Sequence, residues 1–515
     1  LDKIHVMVEH ACRGLAGVSE SQVEMNANLQ FFDGIKTSDI QEILVRSAND
    51  LISLEAPNYQ FVAARLLLFG LRKAVYNGHP DGHPPLLEHV QKCVNRGLYD
   101  AGIVDKFSEE EWEKLSGFMD HERDYLFTYA GIRQVVDKYL VQDRSSGEVY
   151  ETPQFMYMMI AVSLFQDDDR FYRLEYIKKY YDAISKHRIN IPTPIMAGVR
   201  TPLRQFASCV LVDVDDTLDS IFSSDMAIGY YVAQRAGIGI NAGRIRGINS
   251  KIRGGEVQHT GVVPFLKKFE STVRCCTQNG IRGGSATVHF PIWHQEIEDI
   301  IVLKNNKGTE DNRVRKLDYS IQLSKLFYER FIKNQDITLF SPHDVPGLYD
   351  AFGTDGFDAL YTDYERDESI PRKTIGGQEL FLALLKERAE TGRIYIMNID
   401  HCNTHSSFKD KVNMSNLCQE ITLPTDPIQH IDGKGEIALC ILSAINVGKL
   451  KSLDELDELC DLAVRGLDAL IDYQEYPVQA AEQSTKNRRS LGIGYIGLAH
   501  YLAKHGASYD CVKAH

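Results

Sequence analysis

The sequence lacks the features by which membrane-spanning, secreted and nucleic-acid-binding proteins are recognised. Its longest apolar run, Phe155–Phe165, is too short to cross a bilayer, and we expect no signal peptide after Leu1. Acidic residues outnumber basic ones by 71 to 57, which gives a formal net charge of −14, whereas a general nucleic-acid binder usually carries a basic face. We therefore expect neither a membrane nor a nucleic acid among the partners of this protein.

Cysteine is not scarce, but its arrangement lacks the spacings of a disulfide framework or a zinc site. The ten cysteines are scattered along the chain and form no CxxC pair. We expect a reduced, cytoplasmic protein that holds no metal ion in this chain. Any thiols that act together must then be brought together by folding.

The composition is that of a folded multidomain protein, and sequence patterns divide it into three regions. Hydrophobic residues make up 43% and charged residues 25% of the 515 residues, a length that corresponds to about two to four domains. Residues 1–75 and 76–200 are mostly helical in pattern, and from residue 201 short apolar runs alternate with helices. We predict three domains with these bounds, the last (201–515) an α/β barrel or an open sheet.

In the first two regions, capping signals and apolar periodicity predict individual helices. Ser38 and Gln41 form an S-x-x-Q capping box before an apolar stripe, and a second helix is predicted over residues 59–76. Ser108 opens a helix with acidic residues in its first turn. The apolar run Phe155–Phe165 is predicted to be a buried helix.

The third region alternates strands and helices. The predicted elements are a strand over 207–214, a helix over 218–235 with its cap at Gly237, a helix over 378–391 with its cap at Gly392, and strands over 393–399 and 436–445. This order implies parallel strands joined by right-handed crossovers.

The segment Ser415–Glu420 carries residue types that acid–base or radical chemistry needs. If the segment is extended, Asn416, Cys418 and Glu420 point to one side, because side chains alternate along a strand. A carboxylate there can accept a proton and an amide can orient a hydroxyl, while the thiol can act as a nucleophile or a radical site. The alternative is a buried cysteine beside a solvated glutamate, since cysteine is among the most buried residue types.

Two further cysteines, Cys209 and Cys440, lie on predicted strands that can face a barrel interior. They can form an unstrained disulfide if their Cα atoms lie within about 7 Å of each other. The alternative is that both are small core residues.

Three loops rich in glycine and arginine follow the first strand and helix. Their segments are Gln234–Arg246, Arg253–Gly255 and Arg282–Gly284. Gly237–Ala242 fits the pattern G-x-G-x-x-A, but a dinucleotide fold needs a helix to continue from it, and Gly243 stands there instead. The loops suit phosphate groups through backbone N–H groups and arginines, and tight turns alone are the alternative.

Taken together, several segments resemble the large subunit of class I ribonucleoside-diphosphate reductase. In the family's order, they are Pro192–Met196, Gln234–Arg246, Gly280–Thr287, Leu339–Leu348, Ser415–Glu420 and Gly435–Asn446. The resemblance extends over essentially the whole chain. It implies an α/β fold class: an N-terminal helical ATP-cone and a helical domain, followed by the first part of a ten-stranded α/β barrel with a central finger loop that carries a thiyl radical.

The resemblance assigns catalytic roles by position. Cys418 matches the radical cysteine that removes the 3′ hydrogen of the substrate, Glu420 matches the base on the 3′-hydroxyl, and Asn416 contacts the same region of the ribose. Cys209 and Cys440 match the redox pair, which delivers two electrons and protonates the leaving 2′-hydroxyl. The further substrate contacts implied by the resemblance are Thr193, Ser208, Gly237 and Leu417.

The resemblance also implies two sites for nucleotide effectors, which are ATP and deoxynucleoside triphosphates. The residues of the specificity site are Asp216, Thr217, Leu218, Arg246, Arg253 and Arg282. The contacts of the ATP-cone are Leu1, Asp2, Lys3, Thr37 and Lys73. Gln41 and Gly70 stand where the family often has histidine, so we expect a cone that binds nucleotide poorly or fails to distinguish ATP from dATP.

The family implies partners and a cofactor outside this chain. A small subunit with a di-iron and tyrosyl type of radical cofactor is expected, together with thioredoxin or glutaredoxin as reductant and a second copy of the large subunit. No covalently bound cofactor is expected here. Two alternatives are a catalytically dead nucleotide-binding scaffold and an adenosylcobalamin- or glycyl-radical-dependent relative.

At both ends of the chain we expect segments of the family to be missing. The chain begins at Leu1 rather than at Met and stops at His515, before a barrel of this family closes. We expect a missing N-terminal segment and a complementary C-terminal polypeptide, without which the chain is inactive. The apolar, glycine-rich segment Ser490–Ala499 is expected to pack inside.

Overall fold

Helices make up most of the first two hundred residues, and a mixed sheet with flanking helices follows. The computed structural model describes residues 2–79, 82–277 and 283–514. Its contacts divide the chain into two units, a helical unit (1–206, 442–473 and 493–515) and a barrel unit (207–441 and 474–492). The division of the sequence into three domains stays a prediction.

The helices have the following bounds. They are α1 (Asp2–Cys12), α2 (Glu20–Asn28), α3 (Thr37–Asn49), α4 (Tyr59–Tyr76), α5 (Leu86–Asn95), α6 (Glu109–Phe118), α7 (Tyr129–Lys138), α8 (Pro153–Phe165), α9 (Arg173–Ser185), α10 (Thr193–Gly198), α11 (Leu218–Ala233), α12 (Val263–Cys275), α13 (Ile297–Val302), α14 (Lys325–Ile332), α15 (Leu348–Ala351), α16 (Phe357–Arg366), α17 (Gly377–Thr391), α18 (Ile399–Thr404), α19 (Leu456–Tyr473), α20 (Gln479–Arg488) and α21 (Leu498–Lys504). In the described parts of the chain, no helix has the length and apolar character that a membrane span requires.

The strands have the following bounds. They are β1 (Gln142–Asp143), β2 (Glu148–Val149), β3 (Ile189–Asn190), β4 (Cys209–Asp213), β5 (Gly237–Asn241), β6 (Lys251–Ile252), β7 (Val257–Gln258), β8 (Ala286–Pro291), β9 (Asp318–Leu323), β10 (Asp336–Leu339), β11 (Lys373–Gly376), β12 (Ile394–Asn398), β13 (Ala438–Asn446) and β14 (Leu491–Ile496).

Local sequence signals account for several helices of the helical unit, with one correction. The Ser108 side chain accepts a hydrogen bond from the backbone of Glu111, and the Glu111 side chain returns one, which is a complete capping box for α6. Every residue of α8 is buried, as its apolar run predicts. The capping box predicted at Ser38 is wrong, because α3 begins one residue earlier and the Ser38 hydroxyl donates to Asp39 instead.

The main sheet has the strand order β12-β9-β8-β5-β4-β13-β14. The strands from β12 to β4 are parallel, as expected from strand–helix–strand crossovers. The expectation of parallel pairing fails at β13, which runs antiparallel to β4. No helix lies between α18 and β13 in the described chain, so β13 is reached through a loop and not through the helical crossover that parallel neighbours need.

Two further sequence predictions need correction. Gly237 does not cap α11, which ends at Ala233; it is the first residue of the buried strand β5. The prediction that the segment Ser490–Ala499 packs inside is wrong, because none of its residues is buried and Tyr495 in β14 is 66% exposed. In the strand order, β14 stands at the end and has only β13 as a neighbour among the described strands.

Candidate active site on the finger loop

The finger loop, defined here as residues 413–425, forms a tight turn at its tip. Residues 417 and 418 lie in a turn and 419 in a bend, and Gln419 has a φ of 72°. The turn is closed because the backbone N–H of Asn416 donates to Ile421 O at 3.2 Å and the N–H of Ile421 donates to Asn416 Oδ1 at 3.1 Å. The extended conformation considered for this segment is therefore wrong, and Cys418 lies exposed at the tip of the turn.

Three parallel strands of the barrel unit hold the tip in place. A Cβ atom added at Gly239 in β5 would lie 2.2 Å from Ser415 O, so the loop backbone rests directly on this glycine. The Thr287 hydroxyl in β8 donates to Leu417 O at 2.7 Å. The Ser320 hydroxyl in β9 donates to Gln419 Oε1 at 2.8 Å.

A buried histidine of β8 also binds the loop. His289 Nδ1 lies 3.2 Å from Ile240 O, which fixes the proton on Nδ1 and leaves Nε2 as an acceptor. Nε2 then accepts from the backbone N–H of Ser415 at 3.3 Å and from Gln419 Nε2 at 3.0 Å. Burial lowers the pKa of His289 to about 4, so the neutral imidazole that this pattern requires is the form present at neutral pH.

The two cysteines of the predicted redox pair face each other across neighbouring strands. Cys440 in β13 is the direct partner of Cys209 in the antiparallel register with β4. Residues so paired have Cα atoms about 4.5–5.5 Å apart, which lies within the range that a disulfide spans. Both are buried thiols in this structure. Burial raises the pKa of Cys440 far above its ordinary value, and the nearby Cys209 and Glu420 add to the effect.

The finger loop and this cysteine pair form one cluster. Asn416 Nδ2 donates to Cys209 Sγ at 3.2 Å, and the Cys209 thiol points towards Glu420 Oε1 at 3.9 Å. An amide, a carboxylate and two thiols thus converge beside the exposed Cys418. The cluster can supply protons and two electrons, and it has a base for a hydroxyl group.

Comparison with known proteins identifies the family. The model of the ribonucleotide reductase barrel domain matches residues 207–515, and that of the all-alpha domain matches residues 125–204. The ribonucleoside-diphosphate reductase subunit alpha of Haemophilus influenzae is 56% identical over 99% of this chain and 68% of its own length. The chain belongs to the family of ribonucleoside-diphosphate reductase alpha subunits.

Two other reductase alpha subunits give the same result. That of Escherichia coli strain K12 is 55% identical over 99% of this chain and 68% of its own length. That of Enterobacteria phage T4 is 46% identical over 96% of this chain and 66% of its own length. The resemblance seen in the sequence and the α/β fold class with a helical N-terminal part are thereby confirmed.

The other substrate residues proposed for this reductase subunit lie in different places. Ser208 and Gly237 adjoin the cysteine pair, since the Ser208 hydroxyl is 3.7 Å from Cys209 Sγ and Gly237 is the register partner of Cys209 in β5. Thr193 begins α10 in the helical unit, where its hydroxyl lies 3.3 Å from that of Tyr139.

The proposed specificity site of this reductase subunit surrounds the start of α11. The Thr217 side chain caps the helix by accepting from the N–H of Ser220 at 3.1 Å. Arg246 binds Asp216 twice, through its backbone N–H at 3.0 Å and through Nε at 2.7 Å. Arg253 has a φ of 50° in the turn between β6 and β7.

The positions predicted for the ATP-cone lie on three helices. Asp2 and Lys3 begin α1, Thr37 begins α3, and Lys73 lies in the last turn of α4. Leu1 and Arg282 lie outside the described residues. Gln41 lies over Gly70: a Cβ at Gly70 would be 3.1 Å from Gln41 Cγ, and Gln41 Nε2 donates to Leu66 O. The Gln41 side chain therefore occupies the space that a side chain at position 70 would need.

Sequence reasoning missed the residues that hold the finger loop. Thr287 and His289 belong to β8, and Ser320 belongs to β9, two strands in which every residue is buried. Polar side chains in wholly buried strands need hydrogen-bond partners, and this was the available signal. Among the described residues, no group of three or more His, Cys, Asp or Glu side chains could hold a metal ion.

Proposed function

We propose that this chain reduces ribonucleoside diphosphates to deoxyribonucleoside diphosphates by thiyl-radical chemistry at the finger loop. The observation that carries the proposal is the convergence of Asn416 and Glu420 on Cys209, which faces Cys440. Residues brought from three separate parts of the sequence thus form the set of groups that the reaction needs.

In the proposed reaction, the Cys418 thiyl radical takes the 3′ hydrogen atom from the ribose. Glu420 accepts the proton of the 3′-hydroxyl, and Asn416 orients this region of the sugar. A thiol of the Cys209–Cys440 pair protonates the 2′-hydroxyl, which leaves as water. The other thiol gives a hydrogen atom to C2′, and the pair passes its remaining electron to the 3′-ketone as the two sulfurs join in a disulfide. Glu420 returns its proton to the 3′-oxygen, and Cys418 returns its hydrogen atom to C3′, which restores the thiyl radical.

The environment of the cysteine pair supports its role as proton donor. A thiol that protonates a leaving group must hold its proton at neutral pH, and the raised pKa of Cys440 ensures this. Ser208, Gly237, Leu417 and Thr193 are proposed as further substrate contacts, the first two because they adjoin Cys209.

Nucleotide effectors are proposed to bind at the start of α11. Thr217 marks the N-terminus of a 16-residue helix, where backbone N–H groups and the helix dipole favour phosphate. Arg246 is held there by Asp216, so effector binding would replace a carboxylate partner by a phosphate. Leu218, Arg253 and Arg282 complete the proposed specificity site.

A second copy of the chain is proposed to cover the exposed face of α11. Leu218, Phe222, Met226 and Tyr230 follow one another at four-residue spacing and are 59%, 50%, 48% and 45% exposed. Residues at this spacing share one helix face, and an apolar stripe of this length on a surface helix favours association. In such a homodimer, the effector site at the start of α11 would lie next to the interface between the two copies.

The ATP-cone, with contacts at Asp2, Lys3, Thr37 and Lys73, is proposed not to sense dATP, because Gln41 fills the space over Gly70. A separate small subunit supplies the radical from its di-iron and tyrosyl cofactor, and thioredoxin or glutaredoxin restores the thiols. A cytoplasmic location is also proposed, because the scattered cysteines do not have the spacing of a disulfide framework.

Replacement of the radical cysteine tests the proposal. In the reconstituted holoenzyme, Cys418→Ala is expected to abolish reduction of cytidine diphosphate, because no other side chain at the tip can take the 3′ hydrogen atom. The matched control is Cys460→Ala, which removes another exposed cysteine and is expected to leave turnover unchanged. Wild-type turnover of Cys418→Ala would refute the assignment.

A further inference from the structure

A buried carboxylate lies beneath the finger loop and is not part of the proposed chemistry. Asp213 is the last residue of β4 and is 1% exposed. Its Oδ2 accepts from Asn413 Nδ2 at 3.2 Å and from the Thr425 hydroxyl at 3.2 Å. These two donors are the first and last residues of the finger loop. One carboxylate oxygen therefore ties both stems of the loop to the same strand.

The other oxygen of Asp213 is fixed by the sheet. Asn241 Nδ2 in β5 donates to Oδ1 at 2.7 Å, and Tyr349 donates its hydroxyl proton to Asn241 Oδ1 at 2.8 Å. Arg244 Nε lies 3.6 Å from Oδ1 and supplies the opposite charge. The carboxylate cannot rotate without breaking several of these contacts, so its position is set by the sheet and transmitted to the loop.

A buried carboxylate at this position lowers the stability of the fold, and a residue that only filled the space would not need to be charged. Burying a charge is unfavourable unless it is paired and hydrogen-bonded, and burial indeed raises the pKa of Asp213 in spite of Arg244. What the carboxylate provides is an acceptor able to bind two donors from two stems at one atom. Neutral apolar residues of similar size would not fix the separation of the stems.

We infer that Asp213 is a positioning residue for the radical step, because it holds the two stems of the finger loop in one register and thereby sets the place of Cys418. The inference rests on the proposed function of Cys418. It assigns no direct contact with the substrate to Asp213. Its effect is expected on the hydrogen-atom transfer, which depends on the distance between the sulfur and C3′, and not on substrate affinity.

Asp213→Asn tests the inference in the reconstituted holoenzyme. The carboxamide keeps the shape of the side chain but has only one acceptor oxygen. Either Asn413 and Thr425 or Asn241 must therefore lose the hydrogen bond to this residue. We expect kcat for cytidine diphosphate to fall by about 10²-fold, the loss typical of a misplacement of roughly 1 Å, while KM stays unchanged. The matched control, Asp363→Asn, removes a carboxylate that is 68% exposed and should change neither constant.

A double-mutant cycle separates action through the loop from general damage. Asn413→Ala alone should lower kcat, but it should add little in the Asp213→Asn background if the two residues act through one hydrogen bond. Additive effects of the two substitutions would overturn the inference, as would a wild-type kcat in Asp213→Asn.

Hydrogen exchange gives a readout that does not depend on activity. In Asp213→Asn, amides of residues 413–425 should exchange faster, while those of β8 and β9 keep their protection. Equal loss of protection in the loop and in these strands would show a merely structural role and overturn the inference. If Cys418→Ala retains turnover, the proposed function fails, but the exchange result still decides whether Asp213 holds the loop.

Discussion

Replacing Gly239 by alanine should displace the finger loop without removing any functional group. The added Cβ would lie 2.2 Å from Ser415 O and 2.9 Å from Asn416 Cα, both of them backbone atoms that cannot rotate away. Ordinary van der Waals contact begins near 3.4 Å, so the loop must move by about 1 Å. Such a misplacement of reacting groups costs about 10²-fold in rate, and overpacking of this kind costs about 1–3 kcal/mol of stability.

The assay is reduction of cytidine diphosphate by the reconstituted holoenzyme, with thermal unfolding measured in parallel. Gly494→Ala is the matched control, because Gly494 also lies in a strand and an added Cβ there meets nothing within 4 Å. We expect kcat to fall in Gly239→Ala and to be unchanged in the control. Wild-type kcat and stability in Gly239→Ala would show that the loop does not rest on this strand as described.

Further measurements test the active site and the effector site. Glu420→Gln should lower kcat by about 10²–10⁴-fold, the usual contribution of a general base; a smaller loss in steady-state kinetics would remove that role. After a single turnover without reductant, mass spectrometry of non-reduced peptides should find Cys209 joined to Cys440, and two alkylatable thiols there would contradict the redox pair. Burial lowers the pKa of His289 to about 4, whereas a histidine in the unfolded chain has a pKa of about 6.5. Between these two pH values the unfolded state binds more protons than the folded state. The free energy of unfolding is therefore unaffected by His289 above pH 6.5 and falls by roughly 3 kcal/mol as the pH is lowered towards 4. Denaturant unfolding of His289→Gln should therefore show a shallower loss of stability between pH 6.5 and 4 than the parent, and identical slopes would be inconsistent with a buried neutral imidazole. Arg246→Ala should weaken deoxynucleoside triphosphate binding by about 1.5–3 kcal/mol in calorimetry, and an unchanged affinity would place the effector elsewhere.

The elements that local sequence determines were predictable, and the shape of the active site was not. Helix α4 has the predicted bounds and α8 is wholly buried, because apolar spacing and capping are properties of neighbouring residues. The turn of the finger loop depends on contacts such as that of Thr287 with Leu417, which are 130 positions apart in the sequence. No local pattern specifies such a contact. The roles of Asn416, Cys418 and Glu420 came from the resemblance, whereas their geometry came from the fold.

Catalytic turnover would also add a covalent cross-link between two strands of the sheet. Cys209 and Cys440 sit opposite each other on β4 and β13, so the oxidised pair would be a covalent rung between two strands that are far apart in the sequence. Closing a loop of this length restricts the unfolded chain and is worth about 5 kcal/mol on the entropic account. The oxidised intermediate would then be harder to unfold than the reduced resting state, and each cycle of reduction would release the strands again. The reductant would thereby set the resistance of the subunit to unfolding as well as its capacity for another turnover.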